Sequence, residues 1–228
     1  MIQQNLYHDT QLNKKGKGFY PSYPAPLFIS TMNKEEDISI IKEEIEEIQS
    51  DFTKAKSYNN NLAGHLKKQF TLSEKSRDCI EKIVSPLTHD FIRMNPGFVY
   101  FNNPTQSKYY KFETDLPWVN FQQKYEFNPI HNHSGIFSYV LYIKIPYYSK
   151  DEENVFPDAV GRRAGKFEFV YNAPLGDLTT QLLPIDKTCE NLLLFFPAKL
   201  YHCVQPFYTS DEYRISVAGN IHLRFIDE

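Results

Sequence analysis

IFSYVLYIKI, residues 136–145, is the stretch whose reading decides the fold. Aromatic and β-branched side chains dominate it, and Gly135 and Pro146 close it at either end, so it reads as a strand. The same character recurs on both sides: FVYF at 98–101, WVNFQQKYEF at 118–127, KFEFVY at 166–171, LLLFF at 192–196 and RISVAGNIHLRF at 214–225. Short strands separated by Pro, Gly and Asn clusters indicate a β-sandwich or barrel. The composition agrees. With 18 Phe, 16 Tyr and 1 Trp, aromatics make up 15% of the chain, and rings of that size suit pleated walls better than a helical bundle.

The front of the chain differs. Residues 1–23 are polar and rich in Lys, Gly and Pro, and are expected to be mobile. PAPLFIST at 24–31 suits a first strand. A helix should follow, with Asn33 and Glu36 at capping-box spacing and Ile38, Ile41, Ile45 and Ile48 at helical period. KSYNNNLAG at 56–64 suits a loop. A second helix is expected over 72–91, with Thr71 and Glu74 at capping spacing and Pro86 kinking or splitting it. These helices would pack on one face of a curved sheet. The organisation expected is therefore a single domain over 24–228, with a helical support layer at 24–95 and a β-rich core at 96–228.

The 228 residues carry a net charge of −3, which argues against a protein that coats nucleic acid or an anionic membrane. The start of the chain lacks the apolar core of a secretory signal, and no stretch approaches a membrane span. Cys79, Cys189 and Cys203 are odd in number and lack CxxC spacing, which disfavours a disulfide scaffold or a thiolate zinc site. Together these features predict a cytoplasmic protein with reduced thiols.

The chemistry concentrates in three places. His131 and His133 are two residues apart, so an extended backbone puts both imidazoles on one face. His202 follows the strand-like LLLFFPAKLY and could complete a three-ligand face on a metal, leaving the opposite face open. A bare HxH is more often a surface or core pair. Arg214 and Ser216, again two apart on a strand, would aim a guanidinium and a hydroxyl into one space and together suit a carboxylate. The plainer reading of Arg214 is a strand-face arginine paired with a local acid. Cys203 should face away from the site, and His222 should be structural.

In this order, His131-x-His133, His202 and Arg214-x-Ser216 resemble the 2-oxoglutarate–Fe(II) oxygenases, prolyl-hydroxylase-like and common in bacteria and tailed phages. Trp118-Val-Asn120, the HNHSG at 131–135 running into Ser138–Tyr142, the FFP…H.V.PF segment and the RIS…N ending extend the resemblance over roughly residues 95–225. It implies an α+β, mainly β protein, with a double-stranded β-helix (jelly-roll) core and N-terminal helices packed on one sheet. It implies Fe(II) held by His131, His133 and His202. It also implies 2-oxoglutarate as cosubstrate, its far carboxylate on Arg214 and Ser216, with Tyr142 and Asn120 in reach. Ascorbate would be an accessory reductant. The implied reaction is hydroxylation of a substrate with O2, releasing succinate and CO2. For the substrate, a protein or peptide side chain is the first expectation; oligomeric state is open.

One departure matters. The wider superfamily carries an acid at the second position of the motif, where this chain has His133, so three neutral imidazoles would leave iron with more net positive charge and would also suit zinc. In a variant of this reading only His133 of the pair ligates, and Gly135 falls at the acid's place. A non-catalytic jelly-roll metal or ligand binder, cupin-like or a phage structural component, is the alternative function.

Overall fold

The structure is a computed structural model, and it describes residues 28–59, 64–95, 97–98, 110–172 and 176–226. The expected mobile segment 1–23 and the start of the strand expected at 24–31 lie outside the described residues. So does most of FVYF, of which only Phe98 is described, in a helical turn.

The chain runs β1 (Ile29–Met32), α1 (Glu35–Ser50), β2 (Gln69–Thr71), α2 (Glu74–Met94), β3 (Tyr110–Thr114), β4 (Trp118–Gln122), β5 (Asn128–His131) and β6 (Phe137–Lys144). It continues with the short α3 (Ser149–Glu153), then β7 (Phe167–Asn172), β8 (Leu178–Leu183), β9 (Leu192–Pro197), β10 (Tyr201–Val204) and β11 (Arg214–Phe225). Two antiparallel sheets face each other as a double-stranded β-helix. The larger has the order β1-β9-β6-β11-β4-β2, with β3 also on the far half of β11, and the smaller has the order β5-β10-β7-β8. Among the described residues, no helix is long and apolar enough to cross a membrane.

Period-two alternation explains the layering. On β4, Val119 and Phe121 face the helices, while Trp118, Asn120 and Gln122 line the space between the sheets. On β6, Phe137, Tyr139 and Leu141 go outward and Val140 and Tyr142 go inward; on β11, Ile215, Val217 and Ile221 alternate with Arg214, Ser216, Ala218 and Asn220. The outer face is covered by Ile38, Ile41, Ile45 and Ile48 of α1 and by Ile80, Val84 and Phe91 of α2. Gly219 is required here: the Tyr139 ring lies across it, and a Cβ would sit 2.2 Å from the phenol oxygen.

Both helices differ from expectation at their starts. Lys34, not Asn33, precedes α1, without a side-chain cap. Ser73, not Thr71, caps α2 and accepts from Ser76 N. The α2 terminus also takes a tertiary cap: Glu44 of α1 accepts from Ser73 N at 2.7 Å and from the hydroxyls of Ser73 and Ser76 at 2.8 and 2.5 Å. A carboxylate there answers both the free amides and the helix dipole. Pro86 neither splits nor ends α2, which runs continuously through it. Proline removes the i→i−4 bond to Lys82 O, and the buried face of α2, Ile80, Val84 and Phe91, packs on the sheet on either side of it.

Two changes test this layer by urea denaturation. Phe137→Ala, which removes a ring stacked among Phe91, Phe98 and Phe195, should cost about 3–5 kcal/mol. Pro86→Ala, at an exposed helical position, should raise the midpoint, with a gain of up to about 3 kcal/mol.

Candidate functional site

The pairing of β5 with β10 builds the first half of the site. His202 lies directly across from His131 in that ladder, and β10 pairs on its other side with β7. His133, two residues past the end of β5, is held by its own amide, which donates to Ala198 O at 2.9 Å. The chain then turns at Gly135, where φ is +83° and a Cβ would meet the Ile221 carbonyl oxygen at 2.6 Å. Glycine at 135 thus has a backbone reason of its own, independent of any place in a ligand set.

The three imidazoles converge. Ring centroids are 4.9 Å apart for His131–His133, 4.4 Å for His131–His202 and 5.0 Å for His133–His202. One nitrogen from each lies within 4.8 Å of the others, and the Nε2 atoms of His133 and His202 are 3.2 Å apart. Nitrogens bound to one ion at ~2.1 Å lie about 3.0–3.4 Å from each other, so this pair already has ligand spacing. His131 Nδ1 donates to Pro129 O at 2.7 Å and His202 Nδ1 donates to Leu200 O at 3.0 Å. Those bonds leave each Nε2 lone pair facing inward, the usual outer partnership of a ligating histidine. Burial holds all three rings below the ordinary imidazole range: His131 is lowered, His133 is lowered to about 4, and His202, the most deeply buried, is lowered well below 6.5. Neutral imidazole is the ligating form, so the donor set fits a divalent transition metal.

The second half stands on the larger sheet, across a cavity of about 260 Å³ lined by residues of both sheets. Register sets a polar row on its inner face: Gln69 of β2 opposite Asn120 of β4, Asn120 opposite Ser216 of β11, and Ser216 opposite Tyr142 of β6. Gln69 Nε2 donates to Asn120 Oδ1 at 2.8 Å, and Asn120 Nδ2 donates to Ser216 Oγ at 3.3 Å. That relay leaves Gln69 Oε1 buried with no hydrogen-bond partner. Tyr142 is buried, and its phenol is pushed upward by burial, so it stays a donor.

Arg214, 2% exposed, closes the cavity floor. No carboxylate among the described residues pairs with it, so the local ion pair of the plainer reading is absent. Its donors go instead to neutral acceptors: Gln122 Oε1 on β4, and the Tyr147 hydroxyl and the carbonyls of Gly165 and Gln205, which lie in loops. Apart from Arg214, the described residues of the lining include no Arg, Lys, Asp or Glu.

All seven residues singled out from the sequence meet around this one cavity: His131, His133, His202, Arg214, Ser216, Tyr142 and Asn120. The sequence reading misses Gln69 and Gln122. Gln122 is within its reach, because it shares a strand face with Asn120; Gln69 sits on a three-residue edge strand with no apolar pattern. Cys203 does face away, its thiol 3.5 Å from the buried Glu168. His222 is structural, its Nε2 2.6 Å from Asp115 Oδ2.

Residues 117–220, which hold every one of those seven side chains, match the family described as "Putative 2OG-Fe(II) oxygenase". The strand-rich body of this protein is thus similar to the 2-oxoglutarate–Fe(II) oxygenases over the segment that builds the cavity. No curated protein matches the sequence. Among solved structures, a prolyl-4-hydroxylase from Pseudomonas putida aligns with a TM-score of 0.47 and 11% identity over 86% of this chain and 91% of that one. A prolyl hydroxylase from Trichoplax adhaerens, in complex with a hypoxia-inducible-factor peptide fragment, aligns at 0.46 and 12% over 88% and 83%. HygX from Streptomyces hygroscopicus, with nickel and 2-oxoglutarate bound, aligns at 0.48 and 7% over 86% and 83%.

Gly135→Ala tests the turn that carries His133. It forces a left-handed backbone on an L-residue, which costs about 1–2 kcal/mol before any clash. It should lower the urea midpoint and weaken Ni(II) affinity measured by calorimetry.

Proposed function

We propose that His131, His133 and His202 hold the iron through their Nε2 atoms and that Arg214 receives the far carboxylate of 2-oxoglutarate. The observation that carries this reading is the meeting, in one cavity, of three neutral imidazole nitrogens and a buried guanidinium without a counter-ion. Three uncharged ligands leave a bound dication its full charge, which favours a dianionic cosubstrate. Bound there, Fe(II) supplies the chemistry by which O2 and 2-oxoglutarate yield succinate and CO2 while a substrate C–H bond becomes C–OH.

The chain's own residues do the rest. The Pro129 and Leu200 carbonyls fix the tautomers of His131 and His202. The backbone bond from His133 N sets where that ring stands. Ser216 Oγ, the Asn120 amide and the Tyr142 phenol extend from Arg214 along the wall, as donors for carboxylate oxygens. Phe167, Phe196 and Val204 keep the floor apolar, which strengthens each polar contact made there.

For the substrate we propose a protein or peptide side chain. With Arg214 engaged by the cosubstrate, no other Arg, Lys, Asp or Glu among the described lining residues would select a charged metabolite. Asn128, Asn132 and the free Gln69 carbonyl suit peptide groups, and Trp118 stacks on Tyr58 at 5.3 Å in the same wall.

Purified protein should bind one divalent metal per chain. His131→Ala, His133→Ala and His202→Ala should each lower that affinity tenfold or more by calorimetry, a typical loss when one of three ligands goes. Iron-loaded protein should form succinate from 2-oxoglutarate in an Fe(II)-dependent manner. In Arg214→Ala, 2-oxoglutarate affinity should fall by about tenfold or more, since a charge-assisted bond contributes roughly 1.5–3 kcal/mol. Full metal binding without His133, or unchanged cosubstrate affinity without Arg214, would contradict the assignment of that residue.

A further inference from the structure

A guanidinium has five N–H donors, and in Arg214 all five are engaged by neutral oxygens. Nη1 donates to Gly165 O at 3.0 Å and to the Tyr147 hydroxyl. Nη2 donates to Gln205 O at 3.1 Å and to Gln122 Oε1 at 2.6 Å, and Nε donates to the same Gln122 oxygen at 3.2 Å. A carboxylate arriving at Arg214 must therefore displace one of these acceptors.

Three of the four acceptors are anchored. Gly165 and Gln205 offer backbone carbonyls, and their own amides donate to Pro206 O and Lys166 O at 2.8 and 2.9 Å. The Tyr147 phenol belongs to a ring stacked on Phe207, with centroids 5.0 Å apart, and donates to Gly165 O at 2.8 Å. Gln122 alone is a side chain that can rotate. Its single carbonyl oxygen straddles Nε and Nη2, the edge of the fork that binds both oxygens of a carboxylate in a bidentate pair. Its other end donates to Glu126 O at 2.5 Å, and both Gln122 and Arg214 line the cavity.

We propose that Gln122 is a specificity-determining residue: its carboxamide stands in for the carboxylate of a dicarboxylic ligand and swings away from the Nε/Nη2 edge when that ligand binds. A neutral amide satisfies the buried donors in the free protein, where water would otherwise be needed, yet gives way to a charged, two-oxygen partner. The exchange sets a threshold that a ligand lacking a second carboxylate does not meet. This inference rests on the reading that Arg214 takes the far carboxylate of 2-oxoglutarate.

The test is calorimetric titration of Ni(II)-loaded protein with 2-oxoglutarate and with 2-oxobutyrate, which has the same 2-oxo acid head and no far carboxylate. Gln122→Glu places a permanent carboxylate on the fork; it should weaken 2-oxoglutarate tenfold or more and change 2-oxobutyrate by less than twofold. Gln122→Ala opens the edge and should bind 2-oxoglutarate at least as tightly as the wild type. Arg214→Ala separates the failures. If it leaves 2-oxoglutarate affinity unchanged, the underlying reading of Arg214 is wrong. If it weakens binding while Gln122→Glu binds as the wild type does, or if Gln122→Ala binds several-fold more weakly, the stand-in role alone is overturned. Thermal unfolding of each variant identifies any loss due to misfolding, and Gln122→Ala decides the question should Gln122→Glu not fold.

Discussion

The pairing of His202 with His131 across β5 and β10 is the contact on which the site depends. A strand that slips by one residue turns every side chain to the opposite face. A slip of β10 would send His202 out of the cavity and bring Cys203 inward. β5 and β10 are only four residues each, so their ladder alone is a weak hold on register. The register is secured from outside: β10 pairs over its whole length with β7, and β7 pairs over its whole length with β8. Phe167, Phe169 and Phe196 then pack directly on the His202 ring, with centroids at 5.3, 6.4 and 4.9 Å. Aromatic packing that could pass for bulk core thus fixes the ring of one of the three converging histidines.

Arg214 does the corresponding work at the floor. It projects from the larger sheet and donates to backbone carbonyls at Gly165 and Gln205, which flank the strands β7 and β10 of the smaller one. It therefore ties the two sheets together at the same point where it presents a buried positive charge to the cavity. A cation kept from water without a counter-charge is costly unless it is fully hydrogen-bonded. Five neutral bonds keep that cost bearable, and the proposed dianionic cosubstrate would remove it. On the proposed reading, structure and ligand affinity would be coupled through one side chain.

Much of this is legible in the sequence because the larger sheet is amphipathic in a way that period two exposes. Trp118, Asn120 and Gln122 against Val119 and Phe121, or Arg214 and Ser216 against Ile215 and Val217, declare a polar inner and an apolar outer face before any coordinates. HxH and RxS are the same rule applied to functional residues. What stays hidden depends on tertiary context. The continuity of α2 through Pro86 is supported by the packing of Ile80, Val84 and Phe91 against the sheet. The cap of α2 comes partly from Glu44 on another helix, which local spacing cannot show. The short strands β2, β5 and β10 carry polar residues and little hydrophobic pattern, so Gln69 has no signal. Gln122 is visible as a face-mate of Asn120, but its grip on Arg214 depends on how β4 and β11 align.

The most direct measurement is anomalous X-ray diffraction at the iron edge from crystals grown anaerobically with Fe(II) and 2-oxoglutarate. The account predicts one anomalous peak within about 2.0–2.3 Å of the Nε2 atoms of His131, His133 and His202, and a carboxylate on the Nε/Nη2 edge of Arg214. A peak bound by fewer than these three rings, or a cosubstrate whose far carboxylate rests away from Arg214, would contradict it.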